Sequence, residues 1–213
     1  MTTEIRDRVR TSAAVPPRPA IGATGAGTLV AAGVAGAVLG VLGLVTVLPP
    51  SGDGVPALIL GGALVLAGVL FRAAAARSDI PTAPGVPAKV AGFLAEVVLG
   101  LVAVVLGVLA LIRAGEPLYL AFGAIALGLG LWMGSADLEQ FDRAVPRTAT
   151  LDRKAVDDSA GVDVLFGILA VALGILAWIG VSPRALPLVA DVGVGAALMI
   201  IGLALSRRAA RAA

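Results

Sequence analysis

Three carboxylates stand in stretches that otherwise carry no charge: Glu96, Asp163 and Asp191. Within a membrane span an ionisable side chain is costly and marks a pathway or a site. Proton or cation chemistry would be done at these three residues. Glu96 lies four residues before Gly100 in "EVVLGLVAVVLG", and Asp163 lies four before Gly167 in "DVLFGILAVALG"; Ala32 holds the corresponding place before Gly36. Two acids therefore share one depth on related helices. With the outer ends of those helices at Ile112 and Ile179, both sit 16 residues inward, about 24 Å at roughly 1.5 Å per residue. That is within about 6 Å of the inner edge of a hydrocarbon core about 30 Å thick. The expectation is a pair of interfacial acids balanced by Lys89 below Glu96 and by Arg153 and Lys154 below Asp163. The functional alternatives are a polar vestibule or an ion path. Asp191 follows "RALPLVA" one turn into the last span, where a helix N-terminus favours a carboxylate. No basic residue lies well inside a span to pair with these acids, which argues against an anion path.

Other chemistries are excluded by residue type. The chain has no Cys and no His, so disulfides, thiolate nucleophiles, Cys or His metal sites and histidine switches cannot form. There is no Walker sequence, no GxSxG, and no HExxH without histidine. "GATGAG" opens an apolar helix instead of following a strand, so it is no phosphate loop. No enzyme, no cofactor and no metal site is expected. Basic residues are not interleaved with aromatics, which make up 4% of the chain, so nucleic acid is not a partner.

The elements that must carry the acids follow from composition. The chain is 59% hydrophobic and 14% charged, with a mean hydropathy of +1.01, whereas a soluble surface needs roughly 25% charged residues. Long Ala, Leu and Gly runs without alternation leave helices as the spanning solution. Six runs stand at about residues 22–48, 55–71, 90–112, 117–136, 162–181 and 186–205. They form three pairs, each joined by a tight turn, "PPSGDG", "RAGE" or "SPRA". The expected fold is all-α: a polytopic membrane protein of six transmembrane helices in three pseudo-repeated hairpins over residues 20–76, 87–136 and 152–206. Residues 1–19 and 207–213 read as basic tails. Residues 137–160, with Pro146 within them, read as a charged connection suited to docking or to solvation.

Fourteen of the 16 Lys and Arg lie in the tails and inter-pair connections, leaving Arg113 and Arg184 for the turns. The positive-inside rule then puts both termini in the cytoplasm and the turns outside, in a lipid bilayer that is the chain's first partner. Glycine supplies the packing expectation. First helices pair Gly36 with Gly43, Gly100 with Gly107 and Gly167 with Gly174; return helices pair Gly61 with Gly68, Gly123 with Gly130 and Gly195 with Gly202. Gly40 adds a GxxxG pair with Gly36. Small residues seven apart keep one seam of a helix open to a neighbouring backbone, within the bundle or towards a second copy or another membrane protein. Pro56, Pro117 and Pro187 mark the starts of the return helices.

Three tandem two-helix units built around "GVLGLVTVLPP", "GVLALIRAGEP" and "GILAWIGVSPRALP" resemble the HdeD family of bacterial membrane proteins, over about residues 28–206. The resemblance implies a six-helix, non-enzymatic protein of the inner membrane linked to acid-stress resistance. Two other roles fit the same spans: an accessory subunit of a larger membrane complex, and a small transporter or channel using Glu96, Asp163 and Asp191.

Overall fold

The computed structural model describes residues 23–45, 49, 52–77, 88–113, 116–144 and 150–212. The tail expected over residues 1–19 lies outside them, as do residues 78–87 and 145–149. Six helices are present: α1 Ala23–Leu44, α2 Gly54–Arg77, α3 Ala88–Ile112, α4 Pro117–Ala144, α5 Thr150–Trp178 and α6 Ala185–Ala212. No strand occurs among the described residues. Five helices are long and apolar enough to cross a bilayer, and α2 contributes the shorter apolar stretch Gly54–Leu70. The protein is a polytopic helical membrane protein built from three hairpins.

Local chemistry sets the helix ends. Pro117 opens α4, and Pro56 and Pro187 fall in the first turns of α2 and α6, where a missing N–H breaks no helical bond. The end of α5 is closed by two reversed bonds, Val181 N–H to Leu176 O at 2.9 Å and Gly180 N–H to Ala177 O at 3.0 Å. Gly180 supplies the φ of 94° that this Schellman closure requires. The connection expected over residues 137–160 is instead largely helical, because α4 runs on to Ala144 and α5 begins at Thr150. "DLEQFDRA" offers good helix formers and no breaker before Pro146. For the same reason the C-terminal tail expected over residues 207–213 continues α6 to Ala212.

The closest helix pairs are not the hairpins. They are α2 with α3, α4 with α5, and α6 with α1, so each return helix packs hardest on the first helix of the next hairpin, and the last hairpin closes on the first. The return helices α2, α4 and α6 also touch one another at the centre, and α1, α3 and α5 surround them. Accordingly 61% of the α4 span and 56% of the α6 span are buried, against 28% for each outer helix. The outer helices give lipid an aliphatic face at helical spacing, such as Val34, Val38 and Val41 on α1.

A period of 67 residues runs through these contacts. Gly33, Gly100 and Gly167 are 67 apart, as are their partners Gly61, Gly128 and Gly195. A Cβ on Gly33 would stand 2.6 Å from Gly195 O, one on Gly100 2.8 Å from Gly61 O, and one on Gly167 2.7 Å from Gly128 O. Two turns on, Gly40, Gly107 and Gly174 meet the backbones at Leu188, Gly54 and Ala121 in the same way. These are backbone-to-backbone crossings that only glycine permits.

This geometry corrects the expected register in two places. In the first repeat the equivalents of Gly100 and Gly107 are Gly33 and Gly40. Gly36 instead receives the Leu60 side chain and Gly43 that of Leu188, at positions where the later repeats carry Ala103 and Ala110, then Ala170 and Ala177. In the second repeat the crossing glycine of α4 is Gly128; Gly123 meets nothing nearer than the Ala57 Cβ at 3.7 Å, and Gly130 accommodates Leu64. Gly195 and Gly202 both meet α1, Gly202 against Val30 and Ala26, and Gly68 is buried on α2. Each helix carries several small residues, so spacing alone could not select the seam.

Candidate functional site: an acid pair on the bundle axis

The three central helices run parallel, and their axial residues follow the 3–4 spacing of a parallel three-stranded core. Ala57, Leu60, Leu64 and Ala67 on α2 correspond, 67 residues apart, to Ala124, Leu127, Leu131 and Gly134 on α4 and to Asp191, Val194, Leu198 and Ile201 on α6. Leu60, Leu127 and Val194, with Leu64, Leu131 and Leu198, are each no more than 3% exposed and belong to one apolar cluster. Six aliphatic side chains thus fill the middle of the axis.

At the end nearer the chain termini, Glu96 from α3 and Asp163 from α5 line one small cavity with Gly134, Ser135 and the apolar residues Leu29, Ala67, Leu131, Leu198 and Ile201. Its volume is about 10 Å³ for the centre of a water molecule, room for about one water. Leu29 is the third member of the acid position, in place of the expected Ala32. Both acids are buried inside the bundle, Glu96 5% exposed and Asp163 1%. The side chains of Lys89, Arg153 and Lys154 lie outside the described residues.

The repeats diverge where they meet this cavity. Gly134 leaves room for a carboxylate: a Cβ there would be 3.1 Å from Glu96 Cδ and 3.3 Å from each of its oxygens. Ser135 stands where the other repeats have Gly68 and Gly202, and its hydroxyl donates to Trp132 O at 2.7 Å. With that hydrogen held by the helix, the Oγ lone pairs remain to accept or to ligate. Asp163 Oδ1 is buried with no hydrogen-bond partner among the described residues, a state that costs about 1–3 kcal/mol unless something else meets it.

Asp191 is not brought to this cavity. It is 2% exposed, on the far side of the aliphatic plug, where the other repeats have Ala57 and Ala124, and its Oδ1 likewise lacks a hydrogen-bond partner among the described residues. Near that end the turn before α2 is tied to the turn before α6. Arg184 donates from Nε and from Nη2, the latter at 3.2 Å, to the two oxygens of Asp53, whose side chain is fully buried. These bonds raise the guanidinium above its ordinary pKa. Among described residues, no group of three or more acids is arranged for a metal ion.

Compared with protein-family models, curated proteins and solved structures, the chain has no match. Its own internal repeat is therefore the comparison that singles out the cavity. The crossings keep the repeat, whereas Leu29, Glu96 and Asp163, with Ser135 among glycines, break it.

Proposed function

We propose that the chain is a non-enzymatic membrane protein of the HdeD-like type, serving the bacterial inner membrane under acid stress with both termini cytoplasmic, and that the acid pair is its working element. The observation that carries this reading is the convergence of Glu96 and Asp163 on one cavity at one end of the bundle. Two carboxylates confined in a mostly apolar space repel each other, and a proton or a cation between them relieves that repulsion. The resemblance in the hairpin motifs supplies the stress setting. The axial plug favours a site that binds and responds over a conduit joining Glu96 and Asp163 to Asp191.

Two expected outcomes test this reading. Cells in which E96Q/D163N replaces the parent protein, at equal membrane levels, survive acid challenge no better than cells lacking the protein; survival equal to the parent removes the proposed role. Because the chain has no cysteine, single thiols report topology without background. S182C reacts with an impermeant maleimide added to intact cells, and S206C reacts only after lysis; the reverse pattern inverts the orientation.

A further inference from the structure

The cavity contains more than an acid pair. Glu96 and Asp163 bring their carboxylates to its lining, and Ser135 adds a hydroxyl oxygen whose hydrogen is already given to Trp132 O. Asp163 Oδ1, on a side chain 1% exposed, has no hydrogen-bond partner among the described residues. The space holds one particle of about the size of a water molecule. Gly134 is open where a Cβ would crowd the Glu96 carboxylate.

We infer that this cavity binds one small monovalent cation, sodium in size, between the Glu96 and Asp163 carboxylates with Ser135 Oγ as a further ligand. The inference rests on the cavity being the working element, as proposed above, and adds the ligand class. Oxygen donors alone suit a hard cation. Calcium takes six to eight oxygens at 2.3–2.6 Å, more than these three side chains bring without several waters, for which a cavity the size of one water leaves no room. The internal repeat supports a built site. Glu96, Gly134 and Ser135 come from the second repeat and Asp163 from the third, whereas the first supplies only Leu29 and Ala67 to the same walls.

The test uses the full chain purified in mild detergent, with its thermal unfolding followed by tryptophan fluorescence in sodium chloride, potassium chloride, calcium chloride or choline chloride at equal ionic strength. Sodium raises the midpoint saturably over choline, by roughly 5 °C when the site is filled, and D163N loses that rise. Should D163N fail to fold, S135A replaces it. Its side chain is close to the glycines of the other repeats, and it needs about tenfold more sodium for the same rise. Equal midpoints in sodium and choline overturn the inference, as does a larger rise in calcium or a rise unchanged in both variants. The two readings fail separately. Loss of acid survival in E96Q/D163N without a sodium effect removes the cation and keeps the stress role, whereas a sodium effect with full survival does the opposite.

Discussion

Gly107→Leu strongly destabilises the folded bundle. A Cβ at Gly107 would lie 2.8 Å from Leu58 N and 2.9 Å from Gly54 O, both main-chain atoms of α2 that cannot move aside as a side-chain tip can. Overpacking a core costs typically about 1–3 kcal/mol, and a leucine against backbone must push α2 and α3 apart along the seam, so the loss reaches about 3 kcal/mol or more. Gly62→Ala is the contrast: nothing lies within 4 Å of a Cβ there, and removing a mid-helix glycine gains roughly 0.5–1 kcal/mol. Denaturant titration in mixed micelles compares the two. An unfolding midpoint for Gly107→Leu equal to the parent would contradict the crossing.

Arg184→Ala has the next largest effect, and its size is set by the buried partner it leaves behind. Removing the guanidinium leaves Asp53 buried with both oxygens unmet, a loss of about 2 kcal/mol. Removing the carboxylate with Asp53→Asn costs less, because the Arg184 side chain is 38% exposed and can turn to water. The Asp53→Asn/Arg184→Ala double variant is therefore more stable than Arg184→Ala alone. Arg184→Lys falls between, since one ammonium cannot reproduce the two-pronged contact. If Arg184→Ala and Asp53→Asn cost the same, burial is not what sets the value of this pair.

The hairpins could be found from sequence because each depends on local rules. An apolar run enters the bilayer by its own hydropathy, a turn is marked by Pro, Gly and Asp, and Pro117 opens a helix whatever lies beside it. The glycine register was only partly legible. Gly100, Gly107, Gly167 and Gly174 stand at crossings, but α1 carries Gly33, Gly36, Gly40 and Gly43 on adjacent stripes, and only backbone contact with α6 distinguishes Gly33 and Gly40 from Gly36 and Gly43. Gly128 was hidden between Gly123 and Gly130 for the same reason. Asp53 and Arg184 left a faint signal, a lone acid between glycines in one turn and one of two cations among the turns. Ser135 left another, as the hydroxyl at a position that is glycine in both other repeats.

By itself the sequence determined that this chain crosses a membrane as helices, that they come as three hairpins, and that acids recur at one depth on two of them. Those properties are set one helix at a time, by the free energy of placing each segment in hydrocarbon. Only the tertiary structure decided that the tight pairs join neighbouring hairpins, that α6 closes on α1, and that Glu96 and Asp163 line one cavity inside the bundle. Within lipid no hydrophobic force chooses a helix's partner or its rotation. That choice falls to close packing of small residues, and a chain with 28 glycines offers more seams than one bundle can use.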